Sequence, residues 1–382
     1  MQMKSLNMVG VGSKSPASNL LRLSAAVIAG GLLLAGCSSG TTASDTPAAS
    51  SAAASAAAPA EGSAAPTEAA AGSGTAAAQH VCAIGGADAF FAVLKNGADL
   101  ASQAVTQAGN EYTWIPLPNY DNIGPDMVKL IEQAVAQGCT ALGVPVWDAA
   151  AEAPALQAAT DAGVKVFMYN SGLPHLADKD GNCEAGENCV KAYGYYGTDE
   201  YVAGLAAGEY FATNGSKNIR CVNTQPGAVN WQQRCGGLVE GATAAGAKAD
   251  QIKLPPETFG DAAAISAAVQ AELAKDPTID GFATGSSADA DAVQAALDAV
   301  GSKAQTGGWD VSENVINRIA EGKQLFAVDQ QGWYQGWLAV SQAWMGSQYS
   351  VYPASPVILT GPALITKDNA ASVLAGVKDG YR

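Results

Sequence analysis

The chain has 382 residues, room for one export segment and one or two globular domains of ordinary size. Twenty Lys plus Arg against thirty-five Asp plus Glu give a formal charge of −15, and a surface that acidic repels phosphate backbones, which argues against nucleic acid as a partner. Only His80 and His175 are available to a metal site or a His-dependent nucleophile, so the composition favours binding over catalysis.

Lys4, Lys14 and Arg22 precede an apolar run from Leu23 to Gly36, with no acidic residue among the first 36. That is the layout of an export signal, and the run is too short to span a bilayer comfortably. It ends in Leu34-Ala35-Gly36-Cys37, which resembles the bacterial lipobox, where small residues admit the signal peptidase and the Cys thiol receives a diacylglycerol. The resemblance implies that residues 1–36 are removed as a lipoprotein signal peptide. Cys37 then becomes the N-terminus and the anchor to the lipid bilayer at the outer face of the cell membrane, and the loss of three positive charges leaves the chain at −18. Residues 37–79 are nearly all Ala, Ser, Thr, Gly and Pro; without large apolar side chains nothing offsets the entropy of ordering them. They are expected to form a disordered tether with a reach of roughly 30–40 Å.

Beyond Cys37, six cysteines remain: Cys82, Cys139, Cys183, Cys189, Cys221 and Cys235. An even number in an exported chain reads most simply as three disulfides. Cys183 with Cys189 would close a tight loop, Cys221 with Cys235 would join a strand to the segment after it, and Cys82 with Cys139 would remain; sequence alone leaves the pairing open.

From His80 short apolar runs alternate with Ala-rich amphipathic stretches, a βαβ rhythm. Strands are predicted at Val81–Ile84, Tyr112–Leu117, Thr140–Val146 and Lys165–Tyr169, with helices at Phe90–Ala108, Gly124–Gln137 and near Glu152–Ala162. After a loop containing Gly and Cys the pattern restarts with a helix at Tyr201–Ala212. Then come a strand at Asn218–Asn223, a helix from Trp231, a strand near Ile252, a helix at Ala262–Ala274, a strand at Gly281–Thr284, a helix at Ala288–Val300 and a strand near Gln305–Trp309. Parallel strands need helical crossovers, so two consecutive doubly wound α/β units are indicated, with ligands expected outside the carboxyl ends of the strands.

Those strand ends carry Asp88, Phe90 and Phe91 after the first strand and Tyr169-Asn170-Ser171-Gly172 after the fourth. Later ones carry Asn223, Trp231-Gln232-Gln233-Arg234, Phe259, Trp309-Asp310 and Asp329-Gln330-Gln331. Carboxylates, amides and guanidinium groups hydrogen-bond vicinal hydroxyls, while aromatic faces cover the C–H face of a sugar ring or polyol. Competing readings accompany several of these: core packing for one of Phe90 and Phe91, a surface ion pair for Arg234, and a helix N-cap for Asp310, as for Asp148. Trp147, Trp231, Trp309 and Trp333 are candidates for stacking or for packing.

From about residue 80 onward the chain resembles the ribose-binding type of periplasmic sugar-binding protein, the type I substrate-binding receptor of an ABC transporter. The resemblance is carried by Asp88-Ala89-Phe90-Phe91, Tyr169-Asn170-Ser171-Gly172, the segment Tyr195 to Gly204, Arg234 followed by Gly237 and Gly241, Gly308-Trp309-Asp310, and Val328-Asp329-Gln330-Gln331 with Gln335-Gly336. It implies two α/β lobes joined by three crossovers, with residues 80–195 and about 331–357 in the first and 196–330 and about 358–382 in the second. It also implies closure of the lobes on a monosaccharide or sugar alcohol, delivery to a membrane permease, a monomer, and no cofactor, metal or catalysis. By position, Asp88, Phe90, Phe91 and Asn170 would contact ligand from the first lobe, and Arg234, Phe259, Asp310 and Gln331 from the second lobe and hinge.

Three departures bear on the ligand: Asp88 replaces a frequent Asn, Asn170-Ser171 replaces a frequent Asp-Arg, and Gly285-Ser286-Ser287 lacks a typical Asn. A hexose, a deoxy sugar or a polyol suits such a cleft as well as ribose does. A nucleoside or signalling furanose in the same fold is an alternative, and a secreted glycoside hydrolase, needing two carboxylates about 5–10 Å apart, is another. Asp178-Lys179-Asp180-Gly181-Asn182 imitates the start of a calcium loop but has Cys183 where the tight-turn Gly belongs, so a disulfide-pinned surface loop is expected there. No basic helix-turn-helix precedes residue 80, which opposes a repressor of the same fold.

Overall fold

The computed structural model describes residues 77–382. The expected signal segment, Cys37 and all but the last three residues of the expected tether lie outside the described residues. Order is already established at Gln79, whose carbonyl accepts from Glu111 N at 2.8 Å.

Among the described residues, twelve strands and ten α-helices follow one another, mostly in alternation. They are β1 His80–Gly85, α1 Ala89–Gln107, β2 Glu111–Pro116, α2 Ile123–Ala136, β3 Ala141–Val144, α3 Ala149–Asp161, β4 Lys165–Asn170 and β5 Tyr195–Thr198. There follow α4 Glu200–Thr213, β6 Asn218–Asn223, α5 Val229–Ala244, β7 Lys248–Lys253, α6 Ala262–Lys275, β8 Gly281–Thr284, α7 Ser287–Val300 and β9 Gln305–Trp309. The chain ends with α8 Glu313–Glu321, β10 Phe326–Asp329, α9 Gly332–Tyr349, β11 Val357–Gly361, β12 Ala363–Ile365 and α10 Ala370–Lys378. The central strands are buried along most of their length, as expected for parallel strands covered on both faces. Six of these α-helices begin where a short polar side chain accepts from an otherwise unpaired first-turn N–H: Asp88, Asp148, Asp199, Asp261, Ser286 and Ser312.

The strands form two six-stranded sheets, β2-β1-β3-β4-β5-β11 and β7-β6-β8-β9-β10-β12. The first is parallel throughout. In the second, β12 runs antiparallel to β10, so that sheet is not wholly parallel. Both sheets repeat one order, and in both the winding direction reverses between the first and third strands, at β1/β3 and at β6/β8. These are the two switch points where a doubly wound sheet leaves a crevice.

The chain passes between the sheets from β5 to α4, from β10 to α9, and from β11 to β12 across the cis Gly361-Pro362 bond. Pairing of β5 and β11 in the first sheet extends that lobe to Thr198 and Gly361, a few residues past the limits of 195 and 357 expected from sequence. The helix α9 packs on α1, β3 and β4 of the first lobe, and α10 packs on α8 of the second.

Disulfides join Cys82 to Cys139, Cys183 to Cys189 and Cys221 to Cys235. The Asp178 loop is an Asx turn, its Oδ1 accepting from Asp180 N at 2.8 Å and Asn182 N at 3.0 Å, and the Cys183–Cys189 bond pins the segment after it. The helices α4 and α5 cross with their backbones in contact: a Cβ on Gly208 would lie 2.2 Å from Leu238 O, and one on Gly241 2.2 Å from Leu205 O. Among the described residues no helix is long and apolar enough to cross a membrane.

Candidate ligand-binding cleft

The carboxyl ends of the two sheets' strands face one another across a cleft whose inner chamber is lined by residues of both lobes. The first lobe contributes Asp88, Phe90, Phe91, Tyr120, Trp147 and Asn170 to its wall; the second contributes Asn230, Trp231, Arg234, Phe259, Ser286 and Asp310, with Gln330 from the hinge. The lobes touch here: Val229 N donates to Trp147 O at 2.8 Å, and the Tyr120 and Phe259 rings meet edge-on with centroids 4.9 Å apart.

Arg234, 3% exposed, organises the polar side. Its Nε and Nη2 form a fork on Glu200, at 2.9 Å to Oε2 and 2.6 Å to Oε1, the bidentate geometry that a guanidinium and a carboxylate share. Nη2 also donates to Gln330 Oε1 at 3.0 Å, and Nη1 donates to Gly285 O at 2.8 Å. With four of its five N–H groups thus engaged, one on Nη1 remains for a ligand. Trp309 Nε1 donates to Glu200 Oε2 at 2.9 Å, and the guanidinium lies 5.9 Å and 5.6 Å from the Trp231 and Trp309 rings, within cation–π range.

Gln330 passes this network on, donating from Nε2 to Asp310 Oδ1 at 2.6 Å. Its own carbonyl accepts from Gln335 Nε2 at 3.0 Å and Thr360 Oγ1 at 2.8 Å. Asn170 Nδ2 donates to Gln335 Oε1 at 3.2 Å, while Asn170 Oδ1 and Asn230 Oδ1 are buried without partners. Such acceptors cost free energy until a donor arrives. On the opposite wall Asp88 caps α1 through Phe91 N at 3.0 Å and accepts from Tyr120 OH at 2.7 Å.

Burial pushes the Asp310 carboxyl up to about 7, with the nearby Asp88 charge adding to the rise and Arg234 opposing it. Loss of solvent likewise raises Asp88 against the hydrogen bonds from Phe91 and Tyr120. Glu200 is raised by burial and drawn back by Arg234. Three residues at these strand ends, Asn170, Asp310 and Gln331, hold φ of 63°, 69° and 54°, left-handed conformations that cost a non-Gly residue free energy and concentrate at functional sites.

Of the residues expected at the site, Asp88, Phe90, Phe91, Asn170, Arg234, Phe259 and Asp310 line the chamber. Gln331 does not. The left-handed turn at Gln331 makes it the N-cap residue of α9, and Gln330 presents its amide instead, a slip of one residue. Asp310 is not a helix cap, because Ser312 caps α8, and Arg234 is not a surface ion pair. Trp147 and Trp231 line the chamber, whereas Trp309 is buried behind it and Trp333 packs on Tyr381. Sequence reasoning missed Tyr120, Glu200 and Asn230. The small residue at 285 also gains a reason, since a Cβ there would fall 2.1 Å from the Trp231 ring. Among the described residues His80, Cys82 and Cys139 could gather around a metal, but the two sulfurs are joined to each other.

Two doubly wound lobes, three crossovers and one polar, aromatic-walled cleft define a two-lobed solute receptor. The family model for the periplasmic binding protein domain matches residues 80–346, and the chain belongs to this family. It is 26% identical over 258 residues to the xylose/arabinose-binding protein XylF of Sulfolobus acidocaldarius, an alignment covering 64% of this chain and 60% of the relative; the chain thus spans about three-fifths of that relative's length. Among solved structures, a carbohydrate transporter from Acidothermus cellulolyticus in complex with myo-inositol matches with a TM-score of 0.69 and 25% identity, over 80% of this chain and all of the other. An ABC transporter solute-binding protein from Burkholderia graminis with D-arabinose matches with a TM-score of 0.63 and 22% identity, over 78% and 98% of the two chains.

Proposed function

We propose that this chain is the lipid-anchored receptor of an ABC importer, which captures an uncharged sugar or polyol between its lobes and presents it to a membrane permease. The observation that carries this reading is the charge pattern of the chamber: Asp88, Asp310 and two unpartnered amide oxygens face a single spare Arg234 N–H. Arg234 is already neutralised by Glu200, so the site offers acceptors to a donor-rich ligand and no free positive charge to a phosphate or a sugar acid. Phe90, Trp147, Trp231 and Phe259 supply faces for C–H groups. The resemblance of Leu34 to Cys37 to a lipobox supports export and anchoring, and the relatives that hold myo-inositol or D-arabinose, or are named for xylose and arabinose binding, support the ligand class. Closure follows when one ligand bonds both lobes and so lowers the closed state relative to the open one; the cycle needs neither cofactor nor catalysis, and a monomer suffices.

A thermal-shift screen of pentoses, hexoses, cyclitols, linear polyols, nucleosides and sugar phosphates tests this. A micromolar ligand at a thousandfold excess adds about 4 kcal/mol to stability, and a neutral sugar or polyol is expected to produce that rise while sugar phosphates produce none. A flat response across all neutral sugars and polyols, or turnover of chromogenic glycosides, refutes the reading.

A further inference from the structure

The inner chamber is closed where Tyr120 meets Phe259 and Val229 meets Trp147, yet the cleft is not sealed on every side. A second cavity of about 300 Å³ shares Asp88, Phe90, Tyr120, Phe259, Ser286 and Asp310 with the chamber. It continues outward between the Pro118–Asp121 segment of the first lobe and the Pro256–Gly260 segment and start of α7 in the second. We infer that this vestibule is a second saccharide subsite, so that the preferred ligand is a neutral disaccharide or glycoside with one ring in the chamber and its substituent in the vestibule. This rests on the sugar-receptor reading above.

Position and chemistry both point to such a ligand. The cavity adjoins the chamber through shared residues and stays open although the lobes are already in contact. Its walls combine flat apolar surface from Tyr120, Phe259, Pro118 and Pro256 with the polar side chains of Asn119 and Ser287, the pairing a pyranose uses for its two kinds of face. Among the described residues no Lys or Arg lines it, whereas Asp88, Asp121 and Asp310 do, so the substituent is neutral and rich in hydroxyl donors rather than phosphorylated. Asp88 and Asp310 border both cavities, which places their carboxylates at the junction, within reach of hydroxyls on either side of one glycosidic bond.

Isothermal titration of the whole chain with matched pairs tests the inference: D-xylose with xylobiose, D-glucose with maltose and cellobiose, and myo-inositol with galactinol. At least one extended member is expected to bind about tenfold or more tighter than its parent. Ser287→Phe lines the vestibule but not the chamber, and is expected to remove that gain while leaving the parent's affinity within about twofold. Asn119→Trp, on an exposed segment, provides the same plug with less risk to folding. If parents bind and every extension binds equally or more weakly, or if both plugs weaken parent and extension alike, the subsite is overturned and the sugar reading stands. If no neutral sugar in the series binds, both readings fall together.

Discussion

Glu200→Gln should destabilise the protein far more than a surface ion-pair mutation. In the native protein the carboxylate receives two N–H groups from Arg234, at 2.6 and 2.9 Å, and one from Trp309 at 2.9 Å; the two side chains are 2% and 4% exposed. The substitution keeps the shape but strands the guanidinium charge among Trp231, Trp309 and Gly285 O. Breaking one side of a buried pair costs about 3–5 kcal/mol, because the survivor is neither solvated nor neutralised. At roughly 2 °C or more per kcal/mol for a chain of this size, the melting temperature falls by about 6–15 °C. Urea unfolding without ligand measures the loss, and the double variant Glu200→Met, Arg234→Met serves as the control, since removing both charges should recover most of the stability. A loss under about 1 kcal/mol, the value of an exposed pair, would refute the argument, as would a double variant no better than the sum of its parts. Arg234→Ala suffers from the same coupling, so it cannot by itself separate folding from ligand capture.

Other expectations follow from buried carboxylates and cross-links. Asp310 titrates near 7 when folded against an ordinary value of 3.8, so its contribution to stability is fully present below about pH 4 and is lost as the pH rises through about 7, by up to about 4 kcal/mol. Asp310→Asn should therefore shrink the difference in melting temperature between pH 5 and pH 8; an unchanged difference rejects the assignment. Glu152 is raised to about 8 by burial and accepts from Trp147 N and Asp148 N through Oε1 alone, its Oε2 lacking a partner. Glu152→Gln keeps those bonds without the charge, so it should raise the melting temperature at pH 9 relative to the parent and change it little at pH 6. Replacing each disulfide with an Ala pair should cost stability in order of the sequence separations 57, 14 and 6, about 4, 3 and 2 kcal/mol by loop entropy, and a reversed order in denaturant unfolding would show that native packing outweighs that entropy.

The fold was legible because parallel strands buried on both faces write themselves as short apolar runs, and because Asp or Ser follows many of them as a helix cap. The strand-end rule points to Asp88, Asn170 and Asp310 from the sequence alone. Tyr120 was not legible, since it lies in the connection after β2, and only the fold carries its hydroxyl to Asp88. Glu200 looks like any first-turn helix acid; its role depends on α4 and α5 approaching at Gly204, where a Cβ would lie 2.5 Å from Arg234 O. The misplacement of Gln331 has the same origin, because one left-handed residue exchanges the directions of neighbouring side chains, and nothing in Gln330-Gln331 announces which of the two turns.

The division of the first lobe into separated stretches governs the order in which the protein can assemble. Its edge strand β11 and the helix α9 that covers α1, β3 and β4 follow the whole of β6 to β10 in the chain. As the exported polypeptide emerges from its N-terminal end, β1 to β5 therefore wait with one apolar surface uncovered while the second lobe emerges, and such distant closures are slow. The second lobe is continuous from α4 to β10 and lacks only β12 and α10, so it can reach a near-complete core first. The later-made half thus becomes the platform on which the earlier-made half finishes folding, and the interval between them is when the chain most needs protection from aggregation.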